Sequence, residues 1–270
     1  MGKTSLRILF MNLENLFSPG KKFYGSQYSP AEYNDKVNWI GSMIAESQVH
    51  IAALTELGED SKPCIEDVIK VANEKDTTSW DPFKHEFRAE PSKGSTKIRT
   101  AVISRFELTN TESIAGYPEG FCVDLHKPGT GLDEAENWIA VPSTQFSRPV
   151  AKVRANPENG SPFNLFVVHL KSKRPTKAEH DGFNEAIGIA RAAVRRNVEA
   201  AALRYYFDTF LPQQYQMDEK VPTFVVGDFN DTPTSVPVEN IRGPFDKVPA
   251  LPVPGLKWTS AGSSVVQDCT

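Results

Sequence analysis

The sequence has few cysteines, no long apolar run and no excess of positive charge, and each absence excludes a class of protein. Cys64, Cys122 and Cys269 stand far apart without a CxxC pair, so neither a zinc site nor a disulfide framework is indicated. No apolar run reaches the length of a membrane span. The first residues contain too short an apolar segment for a signal peptide. We therefore expect a cytoplasmic protein, with a trimmed form of a secreted protein as the alternative.

The composition is that of an ordinary globular protein. Its 270 residues are 39% hydrophobic and 24% charged, with a net charge of −4. Because the net charge is negative, binding of a polyanion would require a local basic patch. No linker, internal repeat or low-complexity tract divides the chain, and we predict a single domain over residues 1–270. The sequence indicates neither an oligomeric state nor a partner motif.

Hydrophobic patterns predict a large sheet core with helices. Five runs rich in β-branched and aromatic residues predict strands, at 6–12, 49–56, 98–104, 163–170 and 221–228. A capping box at Ser29 predicts one helix and a second is predicted near Ser61. A third is expected from about Asp181 to Phe210, burying Ile187, Ala190, Val194, Val198, Ala201 and Tyr205 and exposing its arginines. Residues 107–150 are predicted to be strands joined by long loops, and the proline-rich tail from Thr232 mostly loop. The fold class is thus α/β or α+β.

Polar residues stand where the predicted strands end. They are Asn12, Glu14, Glu56, His169, Asp228 and Asn230. Taken singly, each has an ordinary explanation as a turn residue, a cap, a solvated side chain or a structural histidine. Taken together, the carboxylate and amide oxygens are the ligands that suit Mg²⁺ or Mn²⁺.

Basic residues follow the histidine directly, at Lys171, Lys173, Arg174 and Lys177. Such side chains bind phosphate oxygens, and an imidazole beside them can donate a proton or a hydrogen bond. Oxygen-bound metal, imidazole and a basic rim together predict a site that hydrolyses phosphate esters. The arginines at 191–196 could add to the basic patch, or could simply form a solvated helix face.

Five short motifs resemble those of the endonuclease/exonuclease/phosphatase superfamily, in the family's order and over nearly the whole chain. They are NLENLF at 12–17, TELG at 55–58, RTAVISRF at 99–106, HLKSKRP at 169–175 and VVGDFND at 225–231. The family includes deoxyribonucleases, apurinic endonucleases, sphingomyelinases and inositol polyphosphate 5-phosphatases. The resemblance implies a four-layer sandwich of two mixed β-sheets flanked by helices, with the site at one end.

The resemblance also implies roles for single residues. Glu56 would be the main ligand of Mg²⁺ or Mn²⁺, with Glu14 close behind, and Asn12 would support the metal or the phosphate. His169 would bind the phosphoryl oxygen or protonate the leaving group. Asp228 would orient or deprotonate water, with Asn230 as a phosphate donor. Lys171 and Arg174 are the further substrate-binding candidates.

One motif of the family is missing from the sequence. Members end in a Ser-Asp-His motif on a last strand, whereas this sequence ends in SSVVQDCT and its last histidine is His180. Asp268 would match an acidic position before the missing strand. The resemblance therefore predicts a domain that is incomplete at its C-terminus and lacks a terminal strand, or one that is inactive.

Three functions remain open from the sequence. The first is a Mg²⁺-dependent phosphodiesterase, a nuclease acting on DNA or RNA, with Phe23, Tyr24 and Tyr28 either stacking on bases or packing within their loop. The second is a hydrolase of inositol phosphates or phospholipid head groups. The third is a non-catalytic binding protein of the same fold, because the terminal histidine is absent.

Overall fold

The computed structural model describes residues 5–91, 98–121, 123, 143–158, 160–176, 185–217 and 221–243, with the main chain alone for 211–217. These residues form eight strands and four helices. In chain order they are β1 (Ile8–Leu16), α1 (Pro30–Glu46), β2 (Ile51–Leu57), α2 (Ser61–Lys75), β3 (His85–Arg88), β4 (Arg99–Ser104), β5 (Glu107–Gly116), β6 (Gln145–Asn156), β7 (Phe163–His169), α3 (Glu185–Met217), β8 (Thr223–Asp228) and α4 (Val236–Arg242).

The strands form two mixed four-stranded sheets. The first has the order β1-β2-β4-β3 and the second the order β5-β6-β7-β8. The pairs β1·β2 and β7·β8 are parallel, whereas the other neighbouring strands are antiparallel. Each sheet therefore contains one parallel pair whose strands end at the same edge.

Three layers of buried side chains make this a four-layer sandwich, as predicted. Along β2, Ile51 and Ala53 face the second sheet, whereas Ala52 and Leu54 face the layer under α1 and α2. A third cluster lies between the second sheet and α3 and α4. Because β2 is buried on both faces, its sequence is a continuous apolar run instead of an alternating one. None of the helices that the structure describes combines the length and apolar character needed to cross a bilayer.

The first two helices lie where the sequence predicts them. The Ser29 side chain accepts from the Glu32 N–H and the Glu32 carboxylate accepts from the Ser29 N–H at 2.8 Å, so the predicted capping box is present. The second helix begins at Ser61, and Cys64 lies buried in its first turn. Cys122 and Cys269 lie outside the described residues.

The predicted buried face of α3 is wrong except at Val198, which is buried. Ile187, Val194 and Tyr205 are 46%, 49% and 37% exposed, whereas Arg196 and Glu199 are buried. Hydrophobic spacing misses this face because two of its members are ionised groups that find partners inside the protein. The proposal of a solvated arginine face therefore fails for Arg196. The buried set of the helix includes Ala192, Arg196, Val198, Glu199, Ala200, Ala202, Leu203 and Phe207.

The tail after Thr232 is not all loop. Residues Val236–Arg242 form α4, in which Pro237 stands in the first turn and Ile241 packs into the α3 layer. A proline is tolerated in a first turn because the N–H that it lacks has no helical partner there.

The region 107–150, predicted to contain strands and long loops, includes β5 and the first residues of β6. Residues 124–142, between these two strands, lie outside the described residues. Asp268 also lies outside the described residues, so the absence of a terminal strand stays a prediction.

Candidate active site

Irregularities in β1 and β2 shape one side of the site. Residues 13–15 of β1 stand opposite Glu56 alone in β2, because the pairing runs from Asn12↔Thr55 directly to Leu16↔Leu57. Glu14, Asn15 and Glu56 have positive φ values of 46°, 65° and 61°. Bulges of this kind change the direction of side chains and are common beside active sites. Residues with strained backbone conformations are also concentrated at active sites. The bulge interrupts the parallel pairing between Asn12↔Thr55 and Leu16↔Leu57, and Glu14 and Glu56 lie in this interruption.

A glycine brings the other parallel pair together. In β7 and β8, Val168 stands opposite Gly227 and His169 opposite Asp228. Gly227 has φ 149°, and a Cβ atom there would lie 1.9 Å from the carbonyl oxygen of Val168. Only a residue without a side chain allows this approach. The glycine of the VGD stretch thus sets the distance between His169 and Asp228.

Replacing Gly227 with alanine is expected to destabilise the protein strongly. The new methyl group would overlap main-chain atoms of β7, which cannot move without separating the strands. We expect the free energy of unfolding to fall by about 2–6 kcal/mol, from overpacking and backbone strain together. Gly20→Ala is the matched control, since Gly20 has φ 77° but nothing within 4 Å of a Cβ. Equal losses for the two variants in urea denaturation would contradict this explanation.

Asp228 is held by hydrogen bonds on both carboxylate oxygens. Asn12 Nδ2 donates to Oδ2 at 3.0 Å, and the main-chain N–H of Asn230 donates to Oδ1 at 2.8 Å. Asn12 Oδ1 in turn accepts from the N–H of Glu14 at 2.9 Å, which fixes the orientation of the amide. Asn230 has φ 53° and donates from Nδ2 to the carbonyl oxygen of Leu170 at 2.9 Å. Both asparagines therefore position Asp228 and its loop.

His169 lies between the two carboxylates. Its Nε2 is 3.8 Å from Glu56 Oε1 and 3.9 Å from Asp228 Oδ2, with the side chain 1% exposed. Burial, followed by the charge of Arg148, lowers the pKa of His169 well below 6.5. Its Nδ1 is buried and has no hydrogen-bond partner among the described residues. The imidazole is therefore neutral at physiological pH and carries one N–H.

The burial of His169 predicts a pH dependence of stability. Below pH 6.5 an unfolded histidine takes up a proton, whereas folded His169 stays neutral. The unfolded state then binds more protons, so stability falls as the pH falls below 6.5, by about 1.4 kcal/mol per pH unit. His50, whose pKa is lowered chiefly by burial, adds a contribution of the same sign. His169→Asn, measured by urea denaturation in EDTA, should have a shallower slope than wild type below pH 6.5 and the same slope above pH 7. Parallel curves throughout would refute this assignment.

Arg148 is a residue of the site that the sequence reasoning missed. Its guanidinium is buried in β6, and Nη1 donates to the carbonyl oxygen of Leu170 at 3.0 Å. Burial lowers the pKa of Arg148, and this shift is opposed first by Glu199, then by Tyr24, Glu56 and Asp228. An arginine stays charged even so. The only signal in the sequence is its place between Phe146 and Val150, on the face of β6 that packs under α3.

Glu199 is the buried counter-charge, and the sequence reasoning missed it as well. Its carboxylate is 0% exposed and accepts from the Ser147 N–H at 2.9 Å, from the Ser147 hydroxyl at 2.5 Å and from the Lys171 N–H at 2.7 Å. Arg195 Nε adds a fourth contact at 3.3 Å. A buried carboxylate with this many donors is satisfied. Glu199 thereby ties β6, the end of β7 and α3 together behind the site.

The predicted basic residues have different surroundings. Lys171 Nζ donates to the carbonyl oxygens of Ser172 and Arg174, each at 3.0 Å, so its ammonium group braces its own loop. Lys173 Nζ lies 3.3 Å from Asp231, which also pairs with Arg196 at 2.9 Å. The guanidinium of Arg174 lies over the ring of Tyr24, 5.2 Å from its centroid. Lys177 lies outside the described residues.

The oxygen donors suit a hydrated magnesium ion better than a zinc ion. Within the described ranges, no group of three His, Cys, Asp or Glu side chains is arranged to hold a metal ion. The two carboxylates that converge, Glu56 and Asp228, match Mg²⁺, which commonly binds one or two carboxylates and keeps water as its other ligands. The contacts of Glu14 are made by its main chain, since its carbonyl oxygen accepts from Lys36 Nζ at 2.8 Å. The metal role of Glu14 stays a prediction.

Comparisons with known proteins give similarity of structure without similarity of sequence. The sequence matches no family model and none of the curated proteins. A functionally unknown conserved protein from Enterococcus faecalis V583 is 12% identical, with a TM-score of 0.48, over 87% of this chain and 70% of its own. TDP2 from C. elegans is 12% identical, with a TM-score of 0.48, over 84% of this chain and 48% of its own. An endonuclease/exonuclease/phosphatase family protein from Leptotrichia buccalis is 14% identical, with a TM-score of 0.42, over 88% of this chain and 73% of its own. This chain thus spans about half the length of the TDP2 chain.

Proposed function

We propose that the protein is a phosphodiesterase that depends on Mg²⁺ or Mn²⁺ and acts on nucleic acid. One observation carries the proposal: the carboxylates of Glu56 and Asp228 approach the same Nε2 atom of a buried histidine, where both sheets end. The carboxylates belong to different sheets, so the sandwich as a whole builds this group. Phosphate ester hydrolysis needs oxygen donors for a hard cation, an acceptor for the proton of water and a hydrogen-bond donor for the phosphoryl group.

Asp228 is the residue suited to act on water. Two donated hydrogen bonds, from Asn12 Nδ2 and the Asn230 N–H, fix the plane of its carboxylate. A water molecule that donates to this carboxylate is oriented for attack on phosphorus. As the new P–O bond forms, the proton of water passes to the carboxylate, the P–O bond to the leaving group breaks, and the leaving oxygen takes up a proton from solvent.

His169 is suited to donate to the phosphoryl group. Its ring is neutral because burial lowers its pKa, and the Nε2 atom faces the two carboxylates across 3.8 and 3.9 Å, too far for a hydrogen bond. An Nε2–H placed there can donate to a phosphoryl or leaving oxygen that enters the gap. In a buried site such a bond is stronger than in water.

Positive charge comes from the protein and from the cation. Arg148 brings a fixed buried guanidinium that interacts electrostatically with Glu56 and Asp228, and thus a field that favours the negative charge gathering on the phosphoryl oxygens in the transition state. When bound, Mg²⁺ would be held by Glu56, with Asp228 or Glu14 as a further donor, and would offset charge on the phosphoryl oxygens. Arg174 is exposed, so it can meet a flanking phosphate.

The experiment is a substrate comparison with purified protein. Single-stranded DNA, RNA, plasmid, phosphorylated inositols and phospholipid head groups are each incubated with Mg²⁺, with Mn²⁺ or with EDTA. We expect cleavage of a nucleic acid in either metal and none in EDTA. Phosphate release from an inositol or lipid substrate beside intact nucleic acid would replace the nuclease assignment. If no substrate is hydrolysed, the proposal of an enzyme is wrong and the non-catalytic binding protein is the remaining function.

A further inference from the structure

A tight turn between β1 and α1 holds one tyrosine out from the protein. Phe23 and Ser26 exchange two main-chain hydrogen bonds of 2.8 Å, which close the turn formed by residues 23–26. Its central residues Tyr24 and Gly25 both have positive φ, 44° and 86°, as a type I′ turn requires. Glycine takes this conformation without cost, but a tyrosine there is strained. Nothing in the geometry of the turn itself requires an aromatic residue at this position.

A stack of aromatic rings anchors the base of the turn. Phe23 stacks on Phe17 with ring centroids 5.1 Å apart and contacts Tyr28 at 4.8 Å. Phe17 is itself buried and packs against Gly58, two residues after Glu56. The Lys36 ammonium donates to the Tyr28 hydroxyl at 2.6 Å. The turn is therefore fixed to the part of the sandwich that carries Glu56, and Phe23 and Tyr28 pack within their loop.

Tyr24 stands apart from this stack. It is 66% exposed, the largest exposure among the exposed large apolar side chains of the described residues. Its one ring contact within the described part of the chain is the guanidinium of Arg174, from the loop that follows His169, which lies 5.2 Å from the ring centroid. The phenol group of Tyr24 lies close enough to Arg148 to affect the pKa of that arginine, as the carboxylates of Glu56 and Asp228 do. The ring and the guanidinium thus lie near the site and come from two loops, one that follows β1 and one that follows His169.

We propose that Tyr24 and Arg174 form a stacking platform for a base of single-stranded nucleic acid, next to the phosphate that the site cleaves. The proposal rests on the proposed function and specifies the form of its substrate. An exposed flat ring on a rigid support loses little conformational entropy on binding, which favours affinity. Arginine beside an aromatic ring adds a cation–π contribution and a charge for the neighbouring phosphate.

The chemistry of the platform selects a nucleobase over the alternative substrates. Every nucleobase has a π-face that stacks on an aromatic ring irrespective of its sequence. An inositol ring is saturated and has no such face, and a phospholipid head group has none either. A base within a duplex is covered by its neighbours, so the platform fits an unpaired strand.

The test uses binding without metal, so that it does not depend on turnover. A fluorescein-labelled single-stranded oligonucleotide is titrated in EDTA with wild type, Tyr24→Ala, Tyr24→Phe and Arg174→Gln. Tyr24→Ala should weaken binding by about 5- to 150-fold, the factor for 1–3 kcal/mol per stacked base. Tyr24→Phe keeps the ring and should bind like wild type, whereas Arg174→Gln should weaken binding. Trp39→Ala is the control, because Trp39 is also exposed (59%) but lies on α1.

Oligonucleotides with abasic positions separate stacking from charge. Wild type should bind an abasic strand of the same length as weakly as Tyr24→Ala binds the normal strand, and Tyr24→Ala should not distinguish the two. Equal binding of normal and abasic strands by wild type would overturn the proposal. If that result came with Mg²⁺-dependent hydrolysis of bis(p-nitrophenyl) phosphate, the proposed function would stand without the platform. Base-dependent binding without any hydrolysis would support the platform and refute the proposed function.

Discussion

Asp228→Asn is expected to reduce phosphodiester hydrolysis by about 100- to 10,000-fold, the usual contribution of a positioned general acid or base. The substitution keeps the shape of the side chain and removes its charge. An amide is a poor acceptor for the proton of water, and it is a weaker donor to a divalent cation than a carboxylate is. The loss should appear in kcat, because the interaction is needed mainly in the transition state.

The fold should survive this substitution. An asparagine oxygen can still accept from the Asn230 N–H, so only the bond from Asn12 Nδ2 is lost. A lost hydrogen bond of this kind costs about 1 kcal/mol of unfolding free energy. The control is Asp208→Asn on α3, where Asp208 pairs with Arg204 at 2.6 Å and should not affect turnover. An Asp228→Asn protein with wild-type kcat would remove Asp228 from the mechanism.

The strand ends were predictable because their signal is local. An apolar run of strand length followed by a carboxylate or amide indicates that the chain leaves the core at that point, as at Glu56 and Asp228. The pairing of strands could not be obtained in this way. That Asn12 would donate to Asp228, 216 residues away along the chain, depends on how the two sheets pack. The bulges at Glu14 and Glu56 are likewise a product of pairing.

Arg148 and Glu199 could not be predicted, because charged residues in a sequence look solvated until their partners are known. Arg148 lies inside a strand and Glu199 inside a long helix, with no turn or motif beside either of them. The two side chains can be buried because their polar groups have partners. Arg148 donates to the carbonyl oxygen of Leu170, and Glu199 accepts from the main-chain N–H groups of Ser147 and Lys171. Such tertiary partners also explain why Arg196, predicted to be exposed on α3, is buried. Local hydrophobic spacing contains no information about them.

Glu199→Leu is expected to lower the free energy of unfolding by about 3–5 kcal/mol, the order of the loss when one of two buried charges that offset each other is removed. Arg148 would lose its main counter-charge, and the N–H groups of Ser147 and Lys171 would lose their acceptor. Glu199→Gln should cost less, because its amide oxygen can still accept from one of the two N–H groups. Urea denaturation at neutral pH measures each loss.

The double variant Arg148→Met/Glu199→Leu tests which of these two losses dominates. Removing both charges eliminates the unpaired guanidinium, so the double variant should be more stable than Glu199→Leu alone, with a coupling energy of about 0.5–3 kcal/mol. Its hydrolytic activity should stay low, since the buried positive charge beside Glu56 and Asp228 is gone. Stability would then recover while activity would not. This result separates the contribution of the two buried charges to stability from the role of Arg148 in hydrolysis. A double variant as unstable as Glu199→Leu would instead assign the whole cost to the lost main-chain hydrogen bonds of Ser147 and Lys171.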